Sequence, residues 1–210
     1  MKIGITQRVE KINNTNEERD CLDQRWIKLL ECAEFEFLII PNLISRVDKW
    51  LEKNNVNGII LTGGNDLSHL ENANNTSYQR DKIEMAILDW AKKNKLPVLG
   101  VCRGMQMINF YLGGSLSKIQ NHAGIIHNIK IFRKGLISET KINVNSYHDW
   151  GIKASDLSLE LSVIATADDN SIEAVIHNKL PWIGIMWHPE REENINDINN
   201  INFLKKVFSI

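Results

Sequence analysis

The chain has 210 residues, 43% of them hydrophobic, which suits the core of one α/β domain better than two small ones. A net charge of −1 leaves no basic surplus for nucleic acid, and no run of lysine or arginine addresses an anionic membrane. Neither a signal-peptide core nor an apolar run near the roughly 18–20 residues of a membrane span is present, and three cysteines make no disulfide framework, so the expectation is a cytoplasmic protein.

KIGIT (Lys2–Thr6) opens as a strand. From Asn16 to Ala33 the residues Leu22, Trp26, Leu29, Leu30 and Ala33 recur at helical spacing and predict a helix. EFLIIP (Glu36–Pro41) reads as a strand closed by proline, and SRVDKWLEKN (Ser45–Asn54) as a short helix. VNGIILTGG (Val56–Gly64) is a buried strand ending in two glycines, and Asn72, Asn74 and Asn75 mark a polar loop after His69. YQRDKIEMAILDWAKKN (Tyr78–Asn94) predicts a helix with Ile83, Ala86, Ile87 and Trp90 on one face. LPVLGV (Leu96–Val101) is another continuous apolar strand, followed by a helix from Gly104 to Leu112. Between Ile125 and Trp187 the segments IKIF, KINVNSYH, LSVIATA, IEAVIH and WIGIMWH are strand-like, some of them antiparallel, and INNINFLKKVFSI (Ile198–Ile210) is a closing amphipathic helix. Strands apolar on both faces, alternating with helices, predict a three-layer α/β sandwich of flavodoxin-like type. Its sheet is mostly parallel, flanked by helices and extended by antiparallel strands. No repeat, linker or break in composition divides the chain, so residues 1–210 are expected to form a single domain.

The stretch Gly100-Val101-Cys102-Arg103-Gly104 places a thiol between two glycines where a buried strand hands over to a helix. Ligands of open α/β sheets bind beyond the C-terminal ends of the strands, and a nucleophile on a sharp strand-to-helix turn needs small neighbours. The helix N-terminus favours thiolate, so Cys102 is a candidate nucleophile; the alternative is a buried structural cysteine. Cys21 and Cys32 lack this setting and read as core or surface residues. A thiolate needs a base, and the base an orienting group. In WIGIMWHPERE (Trp182–Glu192) an apolar strand ends in His188, and Pro189 is expected to hold the chain extended so that Glu190 accepts from one imidazole nitrogen while the other faces Cys102. His148 is a second candidate base, and a strand-end histidine beside a surface glutamate is the alternative for His188. Gly63 and Gly64 follow a buried strand, where a bare backbone N–H can turn toward a ligand; with the Arg103 N–H they form a candidate oxyanion hole. No pair or cluster of cysteine and histidine has zinc spacing, and this chemistry calls for no metal and no cofactor.

LTGGND, GVCRGMQMINFYLGGSL, VNSYH and WHPE together resemble the class I glutamine amidotransferase-like family, and within it the γ-glutamyl hydrolases that act on γ-glutamyl amides of small amines. The resemblance covers nearly the whole chain. It implies a triad of Cys102, His188 and Glu190, oxyanion donors at Gly64 and Arg103, and recognition of the glutamyl amino and carboxylate groups by residues that include Gly63, Gln106, Asn145, Ser146, Tyr147 and His148. One helical turn puts Gln106 on the face of Cys102, and Ser146 and Tyr147 carry hydroxyl donors; a strand edge with solvent contacts is the alternative for the latter two. Relatives commonly continue NSYH with a second histidine and a glutamine, whereas this chain has Asp149-Trp150, which weakens any transfer of amine specificity. An anionic leaving group would find cations at Arg8, Arg19, Arg25 and Lys118, each otherwise a solvated surface residue. The implied partner is a small-molecule γ-glutamyl amide, with no nucleic acid, membrane or obligate protein partner. A glutaminase subunit that supplies ammonia to a synthetase shares every residue named, and a non-catalytic sensor on the same scaffold is the third reading.

Overall fold

The computed structural model describes residues 1–12, 15–133, 135–137, 139–192 and 197–209. The first half contains β1 (Lys2–Thr6), β2 (Arg8–Lys11), β3 (Glu18–Cys21), α1 (Gln24–Cys32), β4 (Glu36–Ile40), α2 (Val47–Lys53), β5 (Gly58–Leu61), α3 (Tyr78–Asn94), β6 (Val98–Val101) and α4 (Arg103–Tyr111). The second half adds β7 (Ser117–Lys118), β8 (Ala123–Ile131), β9 (Lys141–Tyr147), β10 (Trp150–Gly151), β11 (Leu161–Ala167), β12 (Ile172–His177), β13 (Trp182–Ile185) and α5 (Ile198–Phe208). Ile210, the last residue of the expected closing helix, lies outside the described residues.

Nine strands form one sheet in the order β4-β1-β5-β6-β13-β12-β11-β8-β9. The pairs from β4 to β13 are parallel, and those from β13 to β9 are antiparallel. Strands β5, β6 and β13 are buried along their whole length, as parallel strands covered on both faces must be. Alternation along the strands feeds two cores. Ile60, Leu99 and Val101 pack with Trp26 and Leu29 of α1 and Leu204 and Val207 of α5. Ile59, Leu61 and Val98 face the other way, against Leu51 of α2, Ile83 and Ile87 of α3 and Met105 of α4. This is the expected α/β sandwich with its antiparallel extension. Among the described residues no helix is long and apolar enough to cross a membrane.

Two local expectations fail for identifiable reasons. The helix expected from Asn16 starts only at Gln24, and Glu18–Cys21 pairs with β2 as an antiparallel strand. The stretch Asn16–Asp20 offers no apolar residue to a helix face, the Asp20 carboxylate accepts from the Asn42 backbone N–H at 2.9 Å, and Asp23 starts the helix by accepting from the Arg25 N–H at 3.0 Å. On α3 the bounds agree, set by Ser77 accepting from Arg80 N–H and by a left-handed Lys95, but Ala86 is exposed while Glu84 and Arg80 are buried.

Candidate active site

Because β5, β6 and β13 are parallel neighbours, their C-terminal ends lie side by side, and three functional candidates follow them directly. Gly63 and Gly64 lie just beyond β5, Cys102 follows β6, and His188 lies three residues beyond β13. The Cys102 N–H donates to the Ile185 carbonyl at 2.7 Å, tying the thiol-bearing turn to the strand that leads to His188. Cys102 has φ 52° and ψ −107°, outside the regions an L-residue ordinarily occupies. Gly100 lets α4 approach β6, since a Cβ there would sit 2.5 Å from the Gly104 carbonyl oxygen. Arg103 is the first residue of α4, so its N–H has no acceptor within the helix and stays available to a ligand.

The His188 Nδ1 and Glu190 Oε1 atoms are 2.7 Å apart, and both side chains are almost wholly buried. Pro189 does not hold the chain extended; Pro189–Arg191 form a 3-10 turn, a position where proline's missing N–H costs nothing, and this turn swings Glu190 back to the imidazole. Burial pushes the His188 imidazole down, but the Cys102 sulfur and the Glu190 carboxylate outweigh it and hold it at about 9. His188 is therefore an imidazolium at neutral pH and loses its proton only as the pH rises through about 9. With His188 as candidate acid for a leaving nitrogen, the alkaline limb of kcat/KM is expected near that value. Glu190→Gln removes an anion that favours the charged ring, so the limb should move to lower pH and kcat should fall by roughly 10²–10⁴. A pH–rate profile with an unmoved limb would detach Glu190 from His188.

Two cavities meet around Gly63 and Gly64. The smaller, of about 160 Å³, is lined by Gly64, Cys102, Arg103, Gln106, Tyr147 and Trp150 among others. His148 and Asp149 also reach it. Cys102 is only 6% exposed, so the cavity is its access rather than open surface. The larger, of about 320 Å³, lies against Arg8, Trp26, Gly63, Glu190 and Arg191. Gly63 thus faces the second cavity and not the first. A Cβ at Gly63 would lie 2.6 Å from His188 Cε1 and 3.6 Å from Cys102 Cβ, which leaves hydrogen as the only side chain that fits there.

The remaining candidates divide. Gln106 is buried and donates to the Trp150 carbonyl at 2.8 Å. Asn145 does not line either cavity; its Oδ1 accepts from the His188 N–H and its Nδ2 donates to the His188 carbonyl, both at 2.9 Å, so it clamps the histidine's backbone. Ser146 is buried away from the cavity. Tyr147 lies edge-on to His188 with ring centroids 5.7 Å apart and carries the Arg191 guanidinium 4.7 Å above its own ring. His148 turns its Nε2 toward His122 and Glu173. Of the four cations, Arg19 and Arg25 pair with Glu17 and Asp23, Arg8 lies in the larger cavity paired with Glu10, and Lys118 sits 4.9 Å over the Trp150 ring.

Residues not anticipated from sequence hold this frame. The guanidinium of Arg80 is fully buried and donates to the carbonyls of Thr62, at 2.6 Å, and Gly64, and to Asn65 Oδ1 at 3.1 Å. It thereby fixes the loop that carries Gly64, the candidate oxyanion donor. Glu84 accepts from Arg80 Nε at 3.0 Å, from Thr6 Oγ1 at 2.9 Å and from Arg103, whose other nitrogen reaches Asp81. The signal was present: Arg80 and Glu84 are one turn apart, on the same helix face as Ile83 and Ile87.

This is the fold of the class I glutamine amidotransferases. A glutamine amidotransferase structure from Thermotoga maritima superposes with a TM-score of 0.65 at 18% identity, over 90% of this chain and 76% of that one. Among curated proteins, the γ-glutamyl-CDP-amidate hydrolase of Campylobacter jejuni is 37% identical over 210 residues, covering 100% of this chain and 98% of its own. The γ-glutamyl-γ-aminobutyrate hydrolase of Escherichia coli is 28% identical over 148 residues, covering 59% of this chain and 58% of its own. The peptidase C26 profile matches residues 2–190, and the chain belongs to that family, which makes it a hydrolase of carbon–nitrogen bonds.

Proposed function

We propose that the protein hydrolyses the γ-glutamyl amide bond of a small conjugate, releasing glutamate, with γ-glutamyl-CDP-amidate as its substrate and cytidine diphosphoramidate as the second product. On this reading it acts upstream of the phosphoramidate modification of a capsule. The observation that carries the reaction is the convergence of Cys102, the Gly64 loop and His188 at adjacent parallel strand ends. The Cys102 thiolate attacks the γ-carbonyl, and the Gly64 and Arg103 N–H groups receive the oxyanion. The His188 imidazolium protonates the departing nitrogen, then takes a proton from the water that cleaves the thioester. A cavity of about 160 Å³ is smaller than whole-ligand pockets, so it accepts the glutamyl half while the leaving half stays outside.

The substrate assignment rests on full-length similarity to the Campylobacter jejuni enzyme. Glutamate release should be scored, without any partner, from γ-glutamyl-CDP-amidate, γ-glutamyl-γ-aminobutyrate and glutamine. The amidate is expected to exceed glutamine by about 100-fold in kcat/KM. Preference for glutamine, with stimulation by an added synthetase, would favour an ammonia-supplying subunit. Cleavage of none of them, with Cys102 inert to alkylation, would favour a binding module.

A further inference from the structure

Beside the small cavity, which His148 also lines, lies a buried group that the proposed chemistry does not use. His122, from the segment before β8, His148, from the β9–β10 turn, and Glu173 of β12 converge there. His122 Nδ1 is 3.4 Å from His148 Nε2 and 3.5 Å from Glu173 Oε1, and His148 Nε2 is 3.6 Å from the same oxygen. Three donors held about equally far apart match one face of a tetrahedron. Ligands at the bond lengths of zinc are roughly 3.3–3.6 Å from each other.

The outer nitrogens fix the inner ones. His148 Nδ1 is 3.0 Å from the Trp150 carbonyl oxygen, which can only accept, so Nδ1 carries the hydrogen and Nε2 presents a lone pair inward. His122 Nε2 is 3.1 Å from Asp169 Oδ2, itself oriented by the Ser171 N–H and hydroxyl donating to Oδ1, so in the neutral ring, the form that binds a metal, His122 Nδ1 presents its lone pair to the same point. Both inner nitrogens face a Glu173 carboxylate with no exposure to solvent, whose only charged or ring partners among the described residues are His122, His148 and His127 at 3.5–3.6 Å. Such a centre needs a cation. A backbone carbonyl and a carboxylate on the outer nitrogens are also the partners that metal-bound histidines use. His127 Nε2 is 3.6 Å from Glu173 Oε2 and is the candidate for a fourth position.

We propose that His122, His148 and Glu173 bind a divalent first-row transition metal ion, with zinc favoured by the imidazole-rich donor set. Sequence spacing hides the site, because its ligands come from three distant segments. The ion's role is structural. Through His148 it anchors the Trp150 carbonyl, the same oxygen that Gln106 grips, and so stiffens the wall of the substrate cavity.

The test uses the full chain carrying Cys102→Ala, which removes the candidate thiolate as a competing zinc ligand. Chelator-treated protein is titrated with zinc by calorimetry and with cobalt by visible absorption. One ion per chain is expected, with the d–d bands of four-coordinate cobalt. Asp169→Asn alters only the outer partner of His122 and should weaken zinc binding by about 10–100-fold, and Glu173→Gln should weaken it further. No stoichiometric uptake would overturn the proposal and leave a protonated histidine as the cation. Uptake with affinity unchanged in both variants would overturn it as well, because the metal would then sit elsewhere. Neither result bears on amide hydrolysis, which is read separately in the wild-type chain.

Discussion

Cys102→Ala is expected to lower glutamate release by about 10⁶-fold, since loss of a nucleophile costs nearly as much as loss of its whole catalytic unit. The melting temperature should change little, because the side chain, although at the edge of the core, lines the small cavity and alanine removes only one atom. Alanine keeps the same forced φ of 52°. Cys102→Gly loses the sulfur and also relieves the backbone, so it should be inactive yet more stable than Cys102→Ala by about 1–2 kcal/mol. Turnover and chemical denaturation, measured on both variants, separate the two effects. Retained hydrolysis by clean Cys102→Ala protein would end the nucleophile assignment.

Glu84→Ala is expected to produce the largest loss of stability. Glu84 is fully buried and bridges two buried guanidinium groups, those of Arg80 and Arg103. Removing it leaves Arg80 without a counter-ion beside an Arg103 that keeps only Asp81, at a cost of about 3–5 kcal/mol. That is a large share of the 5–15 kcal/mol that holds a typical domain together. Activity should fall in the folded fraction too, because Arg80 holds the Thr62 and Gly64 carbonyls and a displaced loop no longer aims the Gly64 N–H. The measurements are urea denaturation and kcat/KM per folded molecule. A stability change under about 1 kcal/mol would mean that the network is dispensable. The double change Arg80→Met with Glu84→Leu leaves fewer stranded charges and should fold better than Glu84→Ala while remaining a poor catalyst.

The parallel half of the fold was legible in the sequence because its strands are continuous apolar runs, such as Ile59-Ile60-Leu61 and Val98-Leu99, that admit few other structures. Helix α3 was legible to the residue because Ser77 caps one end and Lys95 takes a left-handed turn at the other. The hairpin of β2 and β3 was not, since its alternation is between charged residues and its place is set by contacts such as Asp20 with Asn42. At the site, Cys102 and His188 stood out because each ends a buried strand, and strand ends in a parallel sheet converge. Asn145 looked like a substrate contact because nothing in VNSYH shows that its amide turns back onto the His188 peptide. Arg80 and Glu84 were overlooked because charge on a helix usually means solvent, and only their position among Ile83 and Ile87 argued otherwise.

Strand β9 is the outermost strand of the antiparallel half, four places away from β13, yet its Asn145 touches His188. The far margin of the sheet therefore curls over to meet the middle. The candidate bond-making groups and the overhanging strand occupy separate stretches of chain, joined at that point by two hydrogen bonds between one side-chain amide and one histidine's backbone. Substitutions in the overhang can therefore leave the sulfur, its turn and its buried arginines as they are.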